Sequence, residues 1–225
     1  MRDPGWEKEL VDRLVDDATP VRRLWRPETR LLIWLAIVLP AVALPATRVL
    51  RDDVAQRLRT PAFLLEEGAM LVAAVLLALA ALRAAVPGRR AGTAVSFATG
   101  ATLALVGLLV FSKPVFASWT SDVFMAIGWP CIWRAFAWTI VPWGLLIVAV
   151  RRAAPFGSRW TGALVGAAAW GLTFVPIRLC CQTEELLHLG VFHVLPLVAG
   201  TLLSAALAPL LLERRFSNVA RNPHA

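Results

Sequence analysis

The chain has 225 residues, is 58% hydrophobic, and combines a mean hydropathy of +0.66 with a formal net charge of +8. So apolar a composition excludes an ordinary soluble domain and fits a protein that crosses a membrane several times. The basic residues fall in the gaps between apolar runs, which argues against direct nucleic-acid binding, and the runs are too long and continuous for a β-barrel.

Residues 1–30 are the one sizeable polar segment. Asp3-Pro4-Gly5 reads as a helix entry, with Asp3 able to cap and Pro4 suited to the first turn. Trp6, Leu10, Leu14 and Ala18 recur at four-residue intervals, with Val11 and Val15 beside them. That spacing predicts an apolar stripe on a helix of about three turns. Glu7, Lys8, Asp12, Arg13, Asp16 and Asp17 occupy its back, and Thr19-Pro20 ends it. Lipid-seeking surface helices are cation-rich; balanced charge suits the groove of a protein partner better. Arg22, Arg23, Arg26 and Arg30 need only anionic headgroups and topology to explain them.

Runs of roughly twenty apolar residues, the length that crosses a bilayer, fall at about 31–50, 62–82, 92–111, 129–150, 160–178 and 189–212. The expected fold class is all-α. A polytopic bundle of six transmembrane helices (31–212) follows a cytoplasmic arm (1–30) with its short amphipathic helix, and a cytoplasmic tail (213–225) closes the chain. With the N-terminus inside, sixteen Lys and Arg flank the spans on that side and six on the other. The positive-inside rule therefore predicts both termini in the cytoplasm. The first apolar run starts late and lacks a small-residue cleavage motif, so it does not read as a signal peptide.

Pro40 and Pro45 predict a kink near the outer end of the first span. The second carries Glu66 and Glu67 about one turn in, where carboxylates are costly unless paired or wet. Arg134 is the expected partner, with Arg57 and Arg59 as rivals, and an internal salt bridge is the favoured reading over an ion pathway. Gly162-xxx-Gly166, then Gly171, is a small-residue packing signal that serves internal contacts or a dimer equally well. Trp119, Trp129, Trp133, Trp138 and Trp143 suit an interfacial aromatic belt.

The chemistry-bearing stretch is Gly162–Pro196. It is apolar to a break expected at Pro176-Ile177-Arg178, then delivers Cys180, Cys181, Glu184, Glu185, His188 and His193, then turns apolar again. Cys131 at the head of the fourth span faces the same side. Thiols with imidazoles suit a soft or borderline metal, or redox chemistry. His188 and His193 are five apart, so on an α-helix they diverge by about 140°. A metal would then use Cys131 and Cys181 with one histidine rather than both. A disulfide from Cys131 to one of the adjacent pair is the redox alternative, since neighbouring cysteines seldom bond each other; inert packing is the bland one. No nucleophile–base set and no phosphate loop is visible, so no enzyme is expected.

Several pieces resemble the NrsF-type family of six-span membrane anti-sigma factors. They are Leu10-Val-Asp-Arg-Leu14 with Pro20-Val21-Arg22-Arg23, Cys131, Arg151-Arg152-Ala-Ala-Pro155 with Gly162 to Gly166, and Cys181 followed by Val191-Phe192-His193. The resemblance implies a regulator of transcription in the bacterial inner membrane. Its arm (Leu10, Leu14, Pro20, Val21, Arg22, Arg23) would hold an extracytoplasmic-function (ECF) sigma factor. Cys131 and Cys181 would be the sensing thiols for heavy-metal or oxidant stress, with Cys180, His188 and His193 in support. No resident cofactor is implied beyond transient metal binding. The chain departs from the family in Cys180, where a histidine or another residue is expected, and in Phe192, where Trp is commoner. The runner-up is a small metal or solute transporter using Glu66, Glu67, Arg134 and the Cys/His hairpin.

Overall fold

The computed structural model describes residues 5–16, 24–86, 121–153 and 158–212, with isolated positions between 96 and 108. The helices are α1 (Gly5–Asp16), α2 (Pro27–Ala46), α3 (Val54–Arg57), α4 (Pro61–Ala84), α5 (Ser121–Arg151), α6 (Ser158–Cys180) and α7 (Leu186–Leu212). No strand occurs among the described residues. Pro27 and Pro61 open α2 and α4, where a missing N–H costs nothing and the fixed φ suits the first turn.

Among the described residues five helices, α2, α4, α5, α6 and α7, are long and apolar enough to cross a membrane. The expected span 92–111 lies largely outside them, although Ser96, Phe97, Leu103, Ala104 and Leu108 within it are helical.

The most buried of these helices is α6, because its small residues let neighbours approach to backbone distance. A Cβ on Gly166 would lie 2.7 Å from Ser204 Cβ and 2.9 Å from Thr201 Cα, and one on Gly162 would strike Ala208. Ser204 Oγ donates to the Gly162 carbonyl at 2.7 Å, and Trp143 Nε1 donates to Ser204 Oγ at 2.9 Å. The small-residue signal therefore serves packing of α6 on α7 inside one chain. On the other side Gly171 faces Ala74 of α4.

Contacts define two ends. At one, Arg83 near the end of α4 pairs with Glu28 at the start of α2 (2.8 Å), and Arg30 donates to the Ala149 carbonyl near the end of α5. At the other, Cys180 Sγ lies 3.7 Å from the Ala46 carbonyl, and the Arg51 amide donates to Leu179 O at 3.0 Å. There α2 and α6 finish and α4 and α7 begin. Between the ends, Trp34 Nε1 donates to Pro142 O at 3.0 Å, tying α2 to α5.

The expected break at Pro176 is absent, and α6 runs through it to Cys180. A proline removes one backbone hydrogen bond. Here packing on both flanks holds the helix, with Phe174, Ile177 and Arg178 all buried around it. Outward faces carry Leu32, Leu44, Ile140, Leu202 and Leu210, each at least 65% exposed.

Candidate functional site: a buried thiol and imidazole cluster

Four side chains meet at the end where α6 stops and α7 starts. Cys131 comes from α5, Cys181 from the linker 181–185, and His188 and His193 from the first turns of α7. Their ligand atoms all lie within 4.8 Å of one another, and all four residues are buried. Both histidines belong to the group, against the expected 140° divergence. The reason is local: Gly190–Val194 is a turn of π-helix. A π turn bonds i to i+5, so residues five apart return to one face, and the two imidazole centroids stand 5.6 Å apart.

Within the cluster His188 Nε2 is 3.3 Å from Cys181 Sγ and 3.9 Å from Cys131 Sγ. Cys181 Sγ also lies 3.5 Å from Thr183 O. Hydrogen bonding from Cys131, with help from His188, holds the Cys181 thiol below the ordinary thiol range against the opposing effect of burial. Neither ring nitrogen of His193 has a hydrogen-bond partner, although both are buried. Cys180 points away to Ala46 and is not part of the group. Consecutive residues at the end of a helix leave on different sides, so Cys181 alone of the adjacent pair reaches the cluster.

Phe192 and Phe124 form an apolar wall around His188, with the Phe192 ring 4.9 Å from both. Gly128 makes room for it, since a Cβ there would overlap the Phe192 ring.

Beside the cluster lies a buried ionic network. Arg178 is fully buried and faces Glu184 at 2.8 Å, Glu67 at 3.3 Å and Glu66 at 3.5 Å. Arg51, also buried, pairs with Glu184 at 2.8 Å and with Asp53. The Arg51 guanidinium, followed by that of Arg57, holds the Asp53 carboxyl below the usual carboxylate range. The pairing of Glu66 and Glu67 follows the favoured reading, but Arg134 is not the partner. The reason is packing: α4 lies along α6, which carries Arg178, and only lightly against α5, which carries Arg134. Sequence reading named Glu184 only as part of the hairpin and Arg178 only as part of the expected break, and did not name Arg51, although an arginine just inside the end of an apolar span was a usable sign.

The donor set fits a metal. Two thiolates and two imidazoles form a closed tetrahedral zinc-type set, and metal–ligand bonds of about 2.0–2.3 Å imply ligand separations of roughly 3.5 Å. A greatest separation of 4.8 Å thus leaves a contraction of about 1 Å to complete the shell. His193, whose ring nitrogens make no close hydrogen bond, has a lone pair within reach of the group.

On α1, Leu10 and Leu14 are 49% and 62% exposed, and Val11 and Val15 are exposed beside them. Pro20, Val21, Arg22 and Arg23 lie outside the described residues, as does the tail 213–225.

Five membrane-length helices thus enclose a buried group of two thiols and two imidazoles at one end of the bundle. The chain belongs to the NrsF family, described as negative regulator of sigma F, whose profile matches residues 14–213. No curated protein and no solved structure matches the chain.

Proposed function

We propose that the protein is a membrane-embedded anti-sigma factor. Its N-terminal arm sequesters an ECF sigma factor in the cytoplasm, and metal or oxidant stress at the periplasmic face releases it. The observation that carries this reading is the separation of two features: a helix with exposed Leu10 and Leu14, and a donor cluster at the far end of the bundle from the start of α2. The exposed apolar belt supports burial in lipid, because a soluble surface rarely tolerates so much contiguous apolar area. Six spans are supported by the ends: α4 finishes beside Glu28, whereas α5 carries Cys131 near its start. The connection between them therefore joins opposite ends of the bundle.

Signalling requires that the signal bind two states differently. A metal ion held by Cys131 on α5 and by Cys181, His188 and His193 would draw the spans together and release the thiol protons. A peroxide would act at the same pair: two thiols lose two electrons and two protons, form one disulfide, and the peroxide leaves as two waters. Either bond changes the position of the fourth span relative to the fifth and loosens the hold of the arm. The transporter alternative draws on Glu66 and Glu67, yet both face Arg178 in buried ion pairs, which argues for a structural use.

The test is a reporter driven by the sigma factor, in cells carrying the full chain. Cys131→Ser with Cys181→Ser should keep the reporter silent and abolish induction by cadmium or peroxide; normal induction would remove the sensing role. Leu10→Asp with Leu14→Asp should give constitutive expression while the protein stays in the membrane; continued silencing would remove the role of the arm.

A further inference from the structure

At the end of the bundle opposite the thiols, α2 and α5 leave a groove of about 220 Å³ lined by Trp25, Arg30, Ile33, Ile37, Val148 and Arg152. Arg30 is only 8% exposed. Its Nη2 donates to the Ala149 carbonyl, while Nη1 is buried with no hydrogen-bond partner. Glu28, the one acidic residue of α2, pairs with Arg83. Arg152, the second cation of the groove, adds like charge to it.

Capping of the last carbonyls of α5 explains one edge of the Arg30 guanidinium. It leaves the other edge unused, although the group presents five N–H donors in a planar fork that matches a phosphate. An anion seated between these two cations would relieve their mutual repulsion and take up the open edge of Arg30. Ile33, Ile37 and Val148 continue from this polar end as an apolar track toward the middle of the bundle. A free inorganic anion would have no use for that track; a lipid would fill both parts.

We propose that the groove binds an anionic phospholipid, with its phosphate on Arg30 and Arg152 and an acyl chain along Ile33, Ile37 and Val148. Basic pockets between helices near a cytoplasmic surface recognise headgroups in this way. The inference rests on the membrane reading given above. Bound there, the lipid would fix the start of α2, where the arm enters the bundle.

The experiment uses the full chain. Alkaline carbonate extraction of membranes comes first: release into the supernatant would sink the membrane reading and the lipid site together. Protein retained in the membrane is then purified in a neutral detergent, and thermal unfolding is followed against added phosphatidylglycerol, phosphatidylcholine or inorganic phosphate. The expected result is a saturable rise in Tm with phosphatidylglycerol alone, at least fivefold weaker in half-saturating concentration for Arg152→Gln and absent for Arg30→Gln. Arg59→Gln, at the other end, should titrate like the parent. Equal response to the two lipids would overturn the proposal, as would an equal response to inorganic phosphate or an unchanged titration of Arg152→Gln. Because Arg152 is exposed, its variant keeps the test decisive if Arg30→Gln does not fold.

Discussion

His193 shows how much a single side chain decides here. Its two ring nitrogens are buried without partners, and burying a polar group unsatisfied costs about 1–3 kcal/mol. A ligand role would offset that at one of the two nitrogens. With cadmium or zinc added to purified protein, one equivalent should bind with four-coordinate Cys2His2 character. His188→Ala and His193→Ala should each weaken affinity by at least tenfold; affinity unchanged in both would leave only the thiols as ligands. Arg178 is the stability-bearing residue. Removing one partner of a buried ion pair costs about 3–5 kcal/mol, so Arg178→Gln should lower Tm sharply or abolish accumulation, whereas Arg13→Gln, in an exposed pair on α1, should change almost nothing. The residue types of the cluster were legible in sequence: Cys131, Cys181 and the histidines stand out in an apolar chain. The exclusion of Cys180 was not, because which of two adjacent thiols faces inward depends on how α6 ends.

At the scale of elements, the π turn Gly190–Val194 is what sequence reading missed. Its geometry is one extra residue in a helical turn, and no composition rule announces that. The periodic argument that separated His188 from His193 was sound for an α-helix and failed only because α7 is not one there. Deleting Val191 should let an ordinary α-helix form, swing His188 out of the cluster, and reduce metal affinity to about that of His188→Ala; retained full affinity would show that the π turn is not what joins them. Gly128 gives a gentler probe. Gly128→Ala pushes a methyl into the Phe192 ring, which packs on His188, so metal binding should weaken while helix content is preserved. Five of the expected spans coincide with described helices, since long apolar runs leave little choice, although α5 begins eight residues before the expected 129. The partner of Glu66 and Glu67 was not, because depth along a span says nothing about which neighbour packs beside it.

For the whole molecule, sidedness is the testable property. Gln56 on α3 is exposed and lies at the end that carries the cluster. In a background lacking the three native cysteines, Gln56→Cys should react in intact spheroplasts with a thiol reagent that cannot cross the bilayer. Labelling only after the membrane is opened would reverse the predicted orientation and place the cluster in the cytoplasm.

The contact of Gly162 and Gly166 with Ser204 and Ala208 has a mechanical consequence. Helices that touch through glycine have no side-chain cushion to deform, so α6 and α7 behave as one stiff body, and Cys181, His188 and His193 ride on it together. Any tightening around a captured ion then falls to the remaining ligand, Cys131, and hence to α5. That helix would then act as a lever, and its far end, at Ala149, meets Arg30, the last residue of the arm.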